Sequence, residues 1–175
     1  MTAYVVLVLL VCCERVAELV VSKRNAAWSV AHGGVERGRG HYLPMVVLHT
    51  GLLLGAVIEV LVAGRPFIGW LGWPMLVVVL LTQALRWWCI RTLGPRWNTR
   101  VIVVPGLSRV TGGPYRWIPH PNYVAVVVEG VALPLVHTAW VTAVTFTVLN
   151  ALLLRVRIGV ENAALSDAET ALTPA

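Results

Sequence analysis

The stretch Thr111-Gly-Gly-Pro-Tyr-Arg-Trp-Ile-Pro-His-Pro-Asn-Tyr123 decides how this chain is organised. It combines glycines and prolines, which interrupt regular structure, with an imidazole, two phenols and a cation. An almost uncharged segment follows directly, and then comes a second polar cluster, Arg155-Val-Arg157-Ile-Gly-Val-Glu161. Irregular polar backbone beside a membrane-length apolar segment is costly unless it lines a cavity or binds a ligand. These two clusters therefore predict the functional site.

The composition indicates an integral membrane protein. Of 175 residues, 58% are hydrophobic and 13% are charged, whereas soluble domains carry about 25% charged residues. The net charge of +6 suits basic residues that select the cytoplasmic side of a membrane. Nucleic acid is not an expected partner, because the arginines alternate with apolar spans. Cys12, Cys13 and Cys89 lie in or beside apolar runs without ligand spacing, so we expect no metal site.

Five apolar segments predict an all-α fold of about five transmembrane helices that ends in a C-terminal helical hairpin. The segments are residues 3–21, 43–62, 73–88, 123–135 and 139–154. At 1.5 Å per residue the first covers roughly 28 Å, enough to cross a bilayer, but the fourth covers only about 20 Å. We expect a single membrane-embedded domain over residues 1–165 and a flexible tail at 166–175.

The basic residues are distributed unequally along this topology. Four lie in the loop 23–42, six lie between Arg86 and Arg116, and the others are Arg155, Arg157, Arg15 in the first span and Arg65 in the loop opposite. The positive-inside rule then places the N-terminus outside the cell inner (plasma) membrane. Both polar clusters fall on the cytoplasmic face, so a cytoplasmic loop region next to the hairpin should bind the polar ligand.

Some polar side chains inside the spans have a structural interpretation. Glu14, Arg15 and Glu18 share one helix face, which predicts mutual neutralisation inside the bundle. A role near a bound substrate is the alternative interpretation of this cluster. His49 is expected to be a hydrogen-bonded core residue. Glu129, in the fourth segment, is costly to bury alone and is therefore either functional or ion-paired.

The two polar clusters suit a reaction between a polar, zwitterionic cofactor and a lipid-like acceptor. Their polar side chains are Tyr115, Arg116, His120, Asn122, Tyr123, Arg155, Arg157 and Glu161. No dinucleotide, P-loop, zinc-protease or nucleophile-elbow motif is present. Arg157 and Glu161 are four residues apart and so face the same space on a helix. A surface ion pair is the alternative interpretation of that spacing.

The combined pattern resembles the isoprenylcysteine carboxyl methyltransferase family of integral membrane enzymes. The family pattern is G-P-Y-x-x-x-R-H-P-x-Y and, after a helical hairpin, R-x-x-x-E-E-x-x-L, which here corresponds to 113–123 and 157–165. Residues 14–36 and 86–99 resemble a bacterial branch associated with type III polyketide synthases, which O-methylates alkylpyrones or alkylresorcinols. Pro119 stands in place of the family's arginine, for which Arg116 is a candidate replacement, and Asn162 replaces the second glutamate.

The resemblance implies S-adenosylmethionine as the cofactor, bound within about residues 92–165. The residues that would surround it are Leu107, Ser108, Arg109, Val110, Tyr115, His120, Pro121, Asn122, Tyr123 and Glu161. Arg157 would hold the acceptor substrate. If the acceptor is a weakly acidic hydroxyl, His120 or Glu129 is a candidate for the catalytic base.

The expected function is therefore methyl transfer to a hydroxyl of a lipophilic polyketide of the alkylpyrone or alkylresorcinol type. The expected partners are this small-molecule acceptor, the lipid bilayer and a type III polyketide synthase. The acceptor's tail should enter through the C-terminal hairpin. Carboxyl methylation of a prenylated cysteine or another lipid carboxylate is an alternative, and so is a non-catalytic membrane scaffold or small transporter. The chain shows no inverted repeat of the kind that transporters carry.

Overall fold

The computed structural model describes residues 1–170, and five helices account for most of them. The helices are α1 (Thr2–Ala31), α2 (Tyr42–Val62), α3 (Gly69–Leu93), α4 (Pro121–Leu135) and α5 (Trp140–Thr170). Strands β1 (Val35–Arg37) and β2 (Val101–Val103) form an antiparallel pair with Val35 opposite Val103. Short 3-10 turns cover Arg39–His41, Gly94–Arg96 and Gly113–Arg116. The fold is mostly helical, as predicted, with a small strand pair that an all-α fold does not include.

Three helical stretches of the described chain are long and apolar enough to cross a membrane: Arg39–Val62, Gly69–Arg96 and Trp140–Ala168. Helix α4 is apolar but has only 15 residues. Helix α1 has 30 residues and carries Glu14, Arg15 and Glu18 near its middle. The chain is thus a helical membrane protein, and the crossing of α1 and α4 stays a prediction.

The ends of α1, α3 and α5 and the starts of α2 and α4 meet at one end of the bundle, which we call the polar end. Asn25, near the end of α1, donates to the carbonyls of Gly94 and Trp97 at 3.0 and 2.8 Å, just after α3. Arg157, in the C-terminal half of α5, donates to the Thr99 carbonyl at 2.6 Å. Because the five helices alternate in direction, both polar sequence clusters lie at this end.

Glu59 organises the opposite end of the bundle. Its carboxylate accepts hydrogen bonds from the backbone N–H groups of Val141 and Thr142, in the first turn of α5, at 3.1 and 2.7 Å. Arg65, the basic residue of the adjoining loop, forms a 2.8 Å ion pair with the same carboxylate. A negative charge at a helix N-terminus is stabilising, so Glu59 fixes the start of α5 against the end of α2.

A buried ion network joins α1, α3 and α4 inside the bundle. It consists of Arg15, Glu18, Arg86 and Glu129. Arg15 lies 2.7 Å from Glu18 and 3.2 Å from Glu129. Arg86 lies 3.0 Å from Glu129 and 3.3 Å from Glu18. The predicted neutralisation of the charged face of α1 is therefore observed, with partners from two other helices.

Two helices extend beyond the apolar segments that predicted them. Helix α1 continues past Val21 to Ala31, and α5 continues past Leu154 to Thr170. Hydropathy reports only the lipid-matched part of a helix, whereas residues such as Lys, Arg, Glu and Ala continue it into the polar region. Part of the predicted tail at 166–175 is therefore helical, and residues 171–175 lie outside the described chain.

Candidate functional site

A polar cavity of about 170 Å³ lies at the polar end of the bundle. Its walls come from the end of α3, strand β2 and the loop after it, the start of α4 and the C-terminal half of α5. The predicted cofactor residues that line it are Leu107, Ser108, Arg109, Val110, Tyr115, His120, Asn122, Tyr123 and Glu161. Pro121, the remaining one, is buried in the first turn of α4 beneath this wall. Tertiary folding thus brings the two sequence clusters to one cavity.

The turn before α4 is held against α3 by a glycine. Gly113 has a φ of 54°, and a side-chain carbon there would lie 2.5 Å from the Thr92 hydroxyl. Only glycine accommodates both the left-handed backbone and this close approach. Tyr115 follows and lines the cavity; burial raises the pKa of its phenol, which therefore stays protonated at neutral pH.

Glu161 is the carboxylate of the polar cavity. The Tyr123 hydroxyl donates to one of its oxygens, and the His120 ring lies 3.9 Å from the other. His120 also stacks on the Tyr123 ring at 5.3 Å between centroids. Its Nε2 atom lies 3.1 Å from the side-chain oxygen of Asn162, so Nε2 carries the proton. Asn162, which replaces a family glutamate, therefore orients His120.

Arg157 is a buried cation at the inner wall of the cavity. Its side chain donates to the Tyr123 hydroxyl at 2.8 Å and to the Thr99 carbonyl at 2.6 Å, and it contacts the Met45 sulfur at 3.0 Å. The residue is only 6% exposed, and it forms no salt bridge within the described part of the chain. A buried charge without a direct counter-charge is costly, so this guanidinium is suited to bind an anion.

A second, apolar cavity of about 310 Å³ lies between α1, α2, α4 and α5. Its exposed lining is on α1 and α2, where Val16, Leu19 and Leu54 are 56, 45 and 59% exposed. The hairpin residues that line it, such as Val126, are more buried. The most exposed lining residues are therefore on α1 and α2, and entry of the acceptor through the C-terminal hairpin stays a prediction.

The polar and apolar cavities share one wall. The residues that line both cavities are Trp97, Asn98, Asn122, Tyr123 and Arg157. The side-chain oxygens of Asn98 and Asn122 are buried and have no hydrogen-bond partner among the described residues. Unpartnered polar atoms in a wall between two cavities indicate ligand contacts, because a buried acceptor is rarely left unsatisfied.

Two predicted site residues lie elsewhere. Arg116 is exposed and does not line the polar cavity, whose cations are instead Arg96, Arg100, Arg109 and Arg157. Glu129 is 4% exposed, and one of its oxygens lies within 3.2 Å of both Arg15 and Arg86. Glu129 thus belongs to the ion network, and the ion-paired alternative predicted for it is the one the structure adopts.

Sequence reasoning missed one wall of the site. Trp97, Asn98 and residues 101–104 line the polar cavity, and Thr99 holds Arg157. The run Arg100-Val-Ile-Val-Val104 is rich in β-branched residues, which is the signal from which this wall could have been found. Its pairing partner, Val35–Arg37, lies in a loop with no strand pattern of its own. That pairing joins segments more than sixty residues apart, which local patterns cannot reveal.

The fold and the paired cavities define a class of protein: a helical membrane protein with a polar cavity and an apolar cavity that share a wall. Residues 75–167, more than half of the chain, match the profile of the Isoprenylcysteine carboxyl methyltransferase (ICMT) family. The chain is also 39% identical over 155 residues to "Uncharacterized protein YpbQ" of Bacillus subtilis (strain 168). The aligned region covers 88% of this chain and 91% of that protein. The chain therefore belongs to the isoprenylcysteine carboxyl methyltransferase family, whose members are membrane methyltransferases.

Proposed function

We propose that this protein transfers a methyl group from S-adenosylmethionine to a hydroxyl of a lipophilic polyketide of the alkylpyrone or alkylresorcinol type. The observation that carries the proposal is the wall that the polar and apolar cavities share. A reaction between a water-soluble donor and a lipid-soluble acceptor needs two sites of opposite polarity in contact. Holding both reactants in line accounts for a large part of such a catalytic effect.

The polar cavity has the mixed charges that suit S-adenosylmethionine. Glu161 would hold a cationic part of the cofactor, and Arg96 or Arg109 would hold its carboxylate. The unpartnered oxygen of Asn122 offers a further acceptor in the shared wall. When bound, the cofactor supplies a methyl group on a positively charged sulfur. Among the residues of the chain, Tyr123 orients Glu161, and Asn162 orients His120.

Arg157 would bind the oxygen that receives the methyl group. Its guanidinium faces the apolar cavity and is held there by Tyr123 and Thr99. An anionic oxygen would supply the counter-charge that Arg157 lacks. His120 lines the polar cavity but not the apolar one, and Glu129 is ion-paired. This arrangement favours an acidic hydroxyl, such as the enol of a pyrone, which ionises without a strong base.

The proposal places the polar end on the cytoplasmic face of the plasma membrane and the N-terminus outside. Arg65 lies at the opposite end, whereas the basic residues of the other two loops and the end of α5 lie at the polar end. Five crossings by five alternating helices are consistent with this orientation. A type III polyketide synthase would supply the acceptor from the cytoplasmic side.

Methyl esterification of a prenylated cysteine or another lipid carboxylate is the second candidate. The buried, unpaired guanidinium of Arg157 favours it, because a carboxylate matches two guanidinium N–H groups. The two candidates share the cofactor, the cavities and the role of Arg157. They differ only in the acceptor.

Radiolabelled methyl transfer tests both candidates. Purified protein in detergent would receive S-adenosylmethionine labelled on its methyl group together with an alkylpyrone, an alkylresorcinol or a farnesylated cysteine. We expect label in the alkylpyrone or alkylresorcinol and none with the Glu161→Ala variant. Label in the farnesylated cysteine alone would favour the second candidate. Absence of saturable S-adenosylmethionine binding would contradict both candidates and leave the scaffold alternative.

A further inference from the structure

The apolar cavity contains polar side chains that the proposed reaction does not use. Asn150, on α5, lines this cavity and is 2% exposed. Its side-chain oxygen has no hydrogen-bond partner among the described residues. Burial of an amide oxygen without a partner destabilises a protein, so its presence inside an apolar cavity calls for a ligand that donates to it.

His49, on α2, offers a second acceptor in the cavity that Asn150 lines. It lines the same cavity, and its Nδ1 atom lies 2.8 Å from the Met45 carbonyl. A carbonyl only accepts, so Nδ1 carries the proton and Nε2 of the neutral ring is an acceptor. The His49 ring meets Phe146 edge-on at 5.4 Å, and Phe146 lies one turn before Asn150 on α5. The two acceptors therefore line the same cavity, His49 from α2 and Asn150 from α5.

The distance from Arg157 to Asn150 and His49 matches the size of one six-membered ring. Asn150 and Arg157 are seven residues apart on one face of α5, about 10 Å along the helix axis. His49 is one turn, about 6 Å, beyond Met45, whose sulfur contacts Arg157. Because the Arg157 side chain leans back along α5, the separation between its head group and the two acceptors is shorter than the axial distance. A six-membered ring with two oxygen substituents spans such a gap.

We propose that Asn150, which lines the same cavity as His49, determines acceptor specificity by receiving a hydrogen bond from a second hydroxyl on the acceptor ring. This inference rests on the proposed function, since it takes the oxygen at Arg157 as the methyl acceptor. The ring's aliphatic tail would then run past Leu54 and Leu19 to the lipid. A prenylated acceptor has no hydroxyl for the Asn150 oxygen, so this oxygen would stay unpartnered and the prenylated acceptor would bind more weakly.

The variant Asn150→Leu separates this role from a structural one. The two side chains have similar volume, and leucine removes a buried polar atom that has no partner. We therefore expect the melting temperature of the variant to equal or exceed that of the wild type. Leu149→Met is the matched control, because Leu149 is the neighbouring residue, 47% exposed on the outer face of α5.

The test compares the binding of an alkylresorcinol with that of the alkylphenol that has the same tail, by calorimetry in detergent. Wild type and Leu149→Met should bind the resorcinol about tenfold more tightly than the phenol, the effect of one hydrogen bond. Asn150→Leu should bind both with affinities within about twofold of each other. Equal affinities in the wild type, a preference that survives in Asn150→Leu, or a lower melting temperature of that variant would overturn the inference. This calorimetry contains no cofactor, so its result does not depend on methyl transfer. Absence of methyl transfer in the radiolabel experiment would therefore contradict the proposed function alone.

Discussion

Two carboxylates on neighbouring helices, Glu129 on α4 and Glu161 on α5, have opposite surroundings. Glu129 faces two guanidinium groups within 3.2 Å, and its side chain is 5% exposed. Glu161 is 29% exposed and contacts a phenol and, at 3.9 Å, an imidazole, with no arginine or lysine paired to it in the described chain. A carboxylate whose charge is balanced by two arginines attracts a cationic ligand only weakly. The charge of Glu161 has no such partner and can attract a cationic ligand. The comparison separates a carboxylate that is neutralised inside the fold from one whose charge is available to a ligand.

The same contrast holds for the arginines. Arg86 is paired with Glu129 and Glu18, and Arg157 has only neutral partners. Both are buried to a similar degree, at 5 and 6% exposure. Burial alone therefore does not identify a functional charge in this protein. The identity of the partners does.

Removal of Glu129 should have the largest effect on stability. Glu129→Ala leaves Arg86 and Arg15 with fewer counter-charges inside the bundle, which costs about 3–5 kcal/mol. Thermal unfolding in detergent would measure the loss. Glu161→Ala is the matched control and should unfold near the wild-type temperature. If both variants unfold alike, the distinction between the two carboxylates is wrong.

Removal of Arg157 should impair turnover more than cofactor binding. Arg157→Ala loses the cation that would hold the reacting oxygen, and we expect a fall in turnover of about 100-fold, the effect of one lost electrostatic donor in an active site. The dissociation constant for S-adenosylmethionine should change by less than about threefold. Single-turnover methyl transfer and equilibrium dialysis measure the two quantities. A large loss of cofactor affinity would instead place Arg157 in the cofactor site.

Neutralisation of Glu161 should weaken the cofactor's binding. Glu161→Gln keeps the shape and removes the charge, so the affinity for S-adenosylmethionine should fall between about 10- and 100-fold, as for a lost charged hydrogen bond. Equilibrium dialysis with labelled cofactor measures it. Glu59→Gln is a control, since Glu59 lies at the opposite end of the bundle and pairs with Arg65. Unchanged affinity in Glu161→Gln would remove Glu161 from the site.

The smallest effect is expected at the opposite end of the bundle. Glu59→Gln keeps one acceptor oxygen, which can serve only one of the N–H groups of Val141 and Thr142, because these donate to different carboxylate oxygens. The variant also loses the charge near the start of α5 and the ion pair with Arg65. We expect a loss of about 1–2 kcal/mol in stability. Thermal unfolding at low and high salt would detect it, and methyl transfer should remain at the wild-type level. A variant as unstable as Glu129→Ala would contradict the expectation that the charge of Glu59 contributes less to stability than that of Glu129.

Several features of the site could be predicted from sequence because they depend on local chemistry. Gly113 and Pro121 mark the start of an irregular turn and of α4, and Arg157 and Glu161 share a helix face by spacing. The family pattern contains both clusters, so the resemblance predicted that they form one site. Arg116 was the wrong replacement for the missing cation, since the number of residues to His120 does not specify which way a side chain in a turn points.

Composition, apolar segments and the two polar clusters determined by themselves that this is a helical membrane protein with its site at one end. These features follow from transfer free energies and backbone preferences, which act locally. Only the tertiary structure decided that Glu129 is neutralised by Arg15 and Arg86, that β2 closes the polar cavity, and that Arg157 lies between two cavities. Each of these depends on contacts between segments distant in the chain, and their geometry is set by helix packing, which sequence spacing does not encode.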